Sequence, residues 1–159
     1  MSTLYRTFTD LSDPEFVEYI PDIVNLIKEC IKYERQCSTE GKNIDTDTSF
    51  PESPDEQEIN ATILTYNAGI TLAVDHGKLV GVASAYMMDA TRAVLGPVSV
   101  SEEYRGCGVG SRLMEFTDKH LKDIGCTSSV LIVLENNPAV AMYKRCGYTD
   151  TSIVMSKEL

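Results

Sequence analysis

The chain has 159 residues, of which 43% are hydrophobic and 24% charged, and its net charge is −10. That composition excludes a disordered polymer and is ample for one buried core. The acidic balance excludes a nucleic-acid binder, because no basic footprint exists anywhere along the chain.

The charge is uneven. Residues 1–60 carry 14 acidic and 5 basic side chains, whereas residues 61–159 carry 10 and 9. Such an acidic half solvates the surface and also suits attraction of a cationic substrate. The five cysteines form no C-x-x-C pair, which points to free thiols in a reducing, cytoplasmic setting. With two histidines besides, no metal site is expected. No apolar run approaches the roughly 18 residues of a membrane span, and no secretory signal opens the chain.

In chain order, residues 5–9 read as a short strand. Asp13-Pro14-Glu15 is a helix start, with Phe16, Ile20, Ile23, Ile27 and Ile31 following at helical spacing. Pro21 is expected to split or kink that helix. Residues 38–53 are polar and turn-rich, a connector or a flap over a site. Ser53-Pro54-Asp55-Glu56 opens a second helix, with Ile59, Ile63 and Leu64 inward and Gly69 closing it. Residues 70–74 and 79–88 flank Asp75-His76-Gly77-Lys78 and predict a β-hairpin. Residues 93–100 add a strand.

A helix is expected over 108–124, stopped by Gly125, with Val109, Leu113, Phe116, Leu121 and Ile124 as its apolar stripe. Glu115–Lys119 and Asp118–Lys122 are its expected ion pairs. The apolar run 130–134 reads as a strand buried on both faces. Asn137-Pro138 caps a short helix ending at Cys146-Gly147, and residues 152–156 form the last strand. The order predicts an α/β fold, a mixed and mostly antiparallel central sheet with helices on both faces.

Gly106, Gly108 and Gly110 stand between a strand and an amphipathic helix. Glycines permit positive φ there, and the helix start presents unpaired N–H groups and the positive end of its dipole. The lysine of a nucleotide P-loop is missing, and Ser111 stands where a dinucleotide fingerprint needs glycine. On its own the turn fits either a strand-to-helix joint or a phosphate cradle.

The segment Val98-Ser99-Val100-Ser101-Glu102-Glu103-Tyr104-Arg105-Gly106-Cys107-Gly108-Val109-Gly110-Ser111 resembles the acetyl-CoA motif of the GNAT acetyltransferase superfamily. Its core, R/Q-x-x-G-x-G/A, is met by Arg105, Gly108 and Gly110. Asn137 to Tyr148 resembles the family's N-x-x-A-x-x-x-Y-x-x-x-G-[FY] region, one position shorter but with the spacing from Tyr143 kept. The resemblance covers residues 70–159 well and residues 1–69 only by element order. It implies one acetyltransferase domain over 1–159, with acceptor-side helices and loop in 1–69 and an acetyl-CoA core in 70–159.

The resemblance also implies roles. The strands 93–100 and 130–134 would be a splayed parallel pair, and Val98 and Val100 would hydrogen-bond the pantetheine arm between them. Arg105, the motif's arginine, would bind the cofactor, and the N–H groups of Gly106, Cys107, Gly108, Val109, Gly110 and Ser111 would hold the pyrophosphate. Asn137 would bind the arm, and Tyr143 would act as general acid toward the sulfur. A thiol of pKa near 8.5 faces a phenol near 10, so full proton transfer is uphill by roughly 2 kcal/mol and a directed hydrogen bond suffices. For the base, Glu135 is the nearest carboxylate, followed by Asp89, with relay through water as the alternative.

The activity so implied is acetyl transfer from acetyl-CoA to a primary amine, a cationic small molecule being the expected acceptor. A protein amino terminus or lysine is the rival acceptor, and a non-catalytic acyl-CoA sensor the rival function. Only 12 residues follow Gly147, where the family places two strands. The acceptor wall is therefore expected from the 38–53 loop or from a second copy in a homodimer.

Overall fold

A computed structural model describes residues 3–38, 56–63, 65–133 and 135–152 of the chain. The expected 38–53 loop, the start of the second helix and the 152–156 strand lie largely outside them.

The first strand, β1 (Leu4–Phe8), is followed by a helix, α1 (Pro14–Ser38), and a second, α2 (Glu56–Ile63). Then come β2 (Gly69–Asp75), β3 (Lys78–Met87), β4 (Arg92–Val100), α3 (Val109–Asp123), β5 (Ser128–Val130) and α4 (Val140–Arg145). The strands form one sheet in sequence order, antiparallel except for the parallel β4–β5 pair. This is the mixed sheet the sequence predicts.

Alternation along the strands sends side chains to two cores. Ile70, Leu72, Leu79 and Val82 pack with Phe16, Ile23 and Ile27 of α1 and Ile63 of α2. Ala73, Val80 and Ala83 meet Val109 and Leu113 of α3 on the opposite face. Each fully buried large apolar side chain contributes roughly 1.5–3 kcal/mol. A hydroxyl chain crosses the α3 side: Thr71 Oγ1 is 2.8 Å from Thr7 Oγ1 and accepts from Thr117 at 3.0 Å.

Several local expectations change. Helix α1 is not split at Pro21 but continues to Ser38. Proline removes the bond to the Val17 carbonyl, and both residues are exposed, so the carbonyl is open to solvent and the loss is tolerated. Gly69 does not close α2; it opens β2 at φ 115°, with His120 Nε2 3.1 Å from where a Cβ would lie. The hairpin turn has positive φ at His76 (49°) and Gly77 (79°), the signature of a type I′ turn.

On α3, Ile124 is exposed, and Met114 and Thr117 are buried in its stead. Glu115 pairs with Arg112 at 2.6 Å and Lys119 with Asp123 at 2.8 Å, in place of the expected partners. Asp118 is half-buried, and desolvation raises its pKa against a smaller opposing pull from Lys122. The 130–134 run is a strand only to Val130. Val130 and Ile132 are 37% and 63% exposed, so burial on both faces does not hold.

Candidate active site

The site is built where β4 leaves β5. The two strands pair at Arg92↔Ser128, Ala93↔Ser129 and Val94↔Val130, and the ladder stops there. Strand β4 continues to Val100 along β3 alone, which opens the wedge expected between the parallel strands.

A bulge decides what faces that wedge. Between Ala85↔Leu95 and Ala83↔Val98, two steps on β3 match three on β4, so β4 carries one extra residue at Gly96-Pro97. At the near end the Arg92 carbonyl accepts from the Met88 N–H, so even-numbered residues face β3. At the far end the Ser101 N–H donates to the Val80 carbonyl, so odd-numbered residues do. The extra residue has reversed the alternation. Val98 and Val100 therefore turn their N–H and C=O groups away from β3 and into the wedge, where an extended ligand can pair as a strand does, apart from the Val100 carbonyl, which accepts from Arg105 Nε.

A 3-10 turn, Glu102–Tyr104, leads from β4 to the glycine turn. Gly106 and Gly108 have φ of 72° and 84°, with nothing within 4 Å of a Cβ position. Glycine is needed at both for conformation and not for room. The first N–H of α3 bonded at its start is that of Arg112, to the Gly108 carbonyl at 3.1 Å. The helix itself supplies no acceptor for Val109, Gly110 and Ser111, and Gly108 makes no side-chain cap. These donors, at the positive end of the helix, fit a pyrophosphate. Gly108→Ala is expected to cost roughly 1–2 kcal/mol from left-handed backbone strain alone, read as a lower midpoint in urea.

Gly110 differs from its neighbours. It lies inside α3, and a Cβ there would stand 2.7 Å from Met142 Sδ. Helix α4, which carries Tyr143, thus meets α3 here through the flexible Met142 side chain. Cys107 is exposed in the turn.

Arg105 turns away from the glycine N–H groups. Its Nε donates to the Val100 carbonyl at 3.1 Å, and its guanidinium lies 4.3 Å from the Tyr33 ring centre. A second nitrogen reaches Cys30 Sγ at 3.9 Å. The motif arginine thus ties the turn to β4 and α1 by a hydrogen bond and a cation–π contact.

Tyr143 is half-buried in a cluster that includes Leu95 and Leu131, the first residues of the two chain segments beyond the last β4–β5 pair. Its ring meets Tyr148 edge-on at 6.1 Å and 71°. The Tyr148 hydroxyl lies 2.6 Å from Ser129 Oγ, and burial pushes its pKa up to about 12. Asn137 is half-buried, and its Oδ1 accepts the Ala139 N–H at 2.8 Å at the start of α4.

Of the carboxylates, Glu135 is exposed at the close of the segment leaving β5. Asp89 is committed to the β3–β4 turn. It accepts the Thr91 and Arg92 N–H groups at 2.9 Å each and Arg92 Nε at 2.5 Å. The backbone hydrogen bond from Thr91, then Arg92, holds its pKa below the usual carboxylate value, which makes it a poor base. Among the described residues no three His, Cys, Asp or Glu side chains gather as a metal site. Sequence reasoning missed the bulge and the polar contacts of Asp75 to Tyr104 and His76. An acid ending an apolar strand before His-Gly was the available signal for the latter.

A family model described as the acetyltransferase (GNAT) family matches residues 27–148. No curated protein sequence matches the chain significantly. Among solved structures the chain is similar to glucosamine-6-phosphate N-acetyltransferase from Arabidopsis thaliana, at 20% identity and TM-score 0.59, with 99% of each chain covered. It is similar to AAC(6')-Iy in complex with the bisubstrate analog CoA-S-monomethyl-acetylneamine, at 14% identity and TM-score 0.69, over 100% of this chain and 99% of that one. A third is the aminoglycoside acetyltransferase meta-AAC0020 from an uncultured soil metagenomic sample, in complex with sisomicin, at 14% identity and TM-score 0.64 over 99% and 96%. At these identities the likeness speaks for the fold, and the family match spans most of the chain. The wedge, the glycine turn and that match agree: the chain belongs to the acetyltransferase (GNAT) family.

Proposed function

We propose that the protein transfers an acetyl group from acetyl-CoA to a primary amine of a small cationic molecule. The observation that carries this reading is the bulge in β4. It turns Val98 and Val100 into a wedge that ends at one side on the helix N–H groups and at the other near Tyr143. The fit to the cofactor is chemical: an amide-bearing arm for the strand edge, a pyrophosphate for the turn. Acetyl-CoA supplies the activated acyl carbon.

Val98 and Val100 align the arm, and Val109, Gly110 and Ser111 hold the phosphates through N–H donors. Asn137, whose carbonyl oxygen accepts the Ala139 N–H at the start of α4, would bind the arm. As the amine nitrogen bonds the acyl carbon, the carbon–sulfur bond breaks and Tyr143 donates its hydroxyl hydrogen bond to the leaving sulfur. Glu135 takes the proton that the ammonium loses before attack, directly or through water, and the proton that the nitrogen sheds as the amide forms goes to the thiolate sulfur.

The cationic acceptor is supported by charge. A cavity of about 490 Å³ beside α1 and the 3-10 turn is lined by Asp22, Glu29, Glu102 and Glu103, and by Lys78, which pairs with Glu103 and leaves the lining acidic on balance. With the net charge of −10, this face draws cations by its field. Two of the similar structures are named for acetyl transfer to aminoglycosides or bound to one, and a third for glucosamine-6-phosphate.

The test is thermal unfolding with acetyl-CoA, CoA, ADP or NAD. Acetyl-CoA at a hundredfold its Kd should stabilise by about 2.7 kcal/mol. That corresponds to a rise on the order of 5–10 °C at this size. No rise with acetyl-CoA, or an equal rise with ADP, would sink the reading. Release of CoA thiol with polyamines, aminoglycosides and amino-terminal peptides then separates the acceptor classes.

A further inference from the structure

The hairpin turn between β2 and β3 grips the 3-10 turn at two successive residues. Asp75, the last residue of β2, is 6% exposed, and its Oδ2 accepts the Tyr104 hydroxyl at 3.0 Å. Lys78, the first residue of β3, pairs with Glu103. His76 adds its Nδ1 at 3.2 Å from the same Asp75 oxygen.

A carboxylate this buried is costly unless its oxygens are used. Yet Asp75 Oδ1 is buried and accepts no hydrogen bond among the described residues. The carboxylate therefore adds little to the strand end that an uncharged residue would not add more cheaply. What it does hold is Tyr104, whose ring packs against the Ala73, Val80 and Leu113 cluster of the α3 face. Packing fixes the ring, the carboxylate fixes the hydroxyl, and Gly106 follows two residues later. The hydrogen bond from His76 first, and then that from Tyr104, keeps the Asp75 pKa low, and the same contact raises that of Tyr104. Tyr104 is thus a neutral donor to an anionic acceptor, the stronger kind of hydrogen bond.

We infer that Asp75 is a positioning residue for the cofactor turn: through the Tyr104 hydroxyl it holds the 106–111 N–H groups in the geometry that takes a pyrophosphate. The inference rests on the acetyl-CoA reading above, and it assigns work to a hairpin outside the glycine motif.

Tyr104→Phe and Asp75→Asn, each in the full chain, test it against two acyl donors. Acetyl-CoA carries the pyrophosphate; S-acetylpantetheine carries the thioester and arm without it. Tyr104→Phe should raise the Kd and KM for acetyl-CoA about tenfold with kcat within about twofold, the loss of one hydrogen bond to a charged group. With S-acetylpantetheine its kcat/KM should match the wild type. Asp75→Asn keeps an oxygen acceptor without the charge and should raise the acetyl-CoA KM about threefold. Equal losses with both donors, or an unchanged KM for acetyl-CoA, would overturn the inference in favour of a purely structural contact. If Tyr104→Phe fails to fold, the same donor comparison on Asp75→Asn decides. Failure of the unmutated protein to bind acetyl-CoA is a separate result, and it overturns the cofactor reading and this inference together.

Discussion

Tyr143→Phe is expected to lower kcat for amine acetylation by about a hundredfold or more while leaving the stabilisation by acetyl-CoA unchanged. The magnitude is that of a positioned proton donor removed from a developing anion. The ring is held by an edge-on meeting with Tyr148 and by packing in the cluster that includes Leu95 and Leu131. Backbone bonds from Tyr143 N–H to Ala139 and from Tyr148 N–H to the Tyr143 carbonyl also survive the change.

Tyr148→Phe is the control, because the two tyrosines sit side by side. Tyr148 is tied to Ser129, and burial pushes its pKa up to about 12, so it is a poor proton donor. Its loss should cost about 1 kcal/mol of stability with a much smaller change in kcat. Equal kcat for Tyr143→Phe and wild type would remove Tyr143 from the chemistry. No amine-dependent release of CoA from the wild type would favour a sensor instead.

The sheet was legible where a local rule is strict. Two stretches flanking a turn placed β2 and β3, and His76-Gly77 supplied the two positive-φ residues that a tight hairpin needs. The start of α1 was legible for the same reason: Asp13 Oδ1 accepts the Glu15 N–H at 2.9 Å, as an N-cap acid should. The glycine turn was legible as a set of donors, although Gly110 was read with its neighbours. Its reason lies 32 residues away in Met142, and no local pattern carries that contact.

Where choices are nearly degenerate, the sequence reading slipped. Arg112, Glu115, Lys119 and Asp123 permit two sets of i,i+3 and i,i+4 pairs of similar worth, and the helix takes the one not expected. The run at 130–134 is apolar but short, and an apolar run alone does not say which faces are covered. Pro21 looked like a break because a helix-interior proline loses a bond, a loss that an exposed helix face tolerates. The bulge was missed although Gly96-Pro97 inside a strand is the local signal for one, because its consequence, which residues face the wedge, is a fact of register between two strands.

That bulge makes Gly96→Ala the substitution with the largest expected effect on the scaffold. A Cβ at Gly96 would stand 2.6 Å from Ser84 Oγ and 2.6 Å from Tyr66 Cε1, closer than real contacts allow. Neither neighbour has room to yield: Tyr66 is 3% exposed and Ser84 also 3%, and both sit under the sheet's covering layers. Relief must come from β4 itself, at the residue pair that reverses which edge Val98 and Val100 face. Overpacking of this kind costs about 1–3 kcal/mol, and here the strain is released into the cofactor wedge. Gly96→Ala should therefore lower the urea midpoint and raise the acetyl-CoA KM together, by roughly tenfold in the latter. Gly110→Ala provides the contrast. Its 2.7 Å contact is with the Met142 sulfur, the far part of a flexible side chain that can swing aside. That variant should stay within about 1 kcal/mol of wild type. If Gly96→Ala proved as mild as Gly110→Ala, the bulge would not be the element that fixes the wedge.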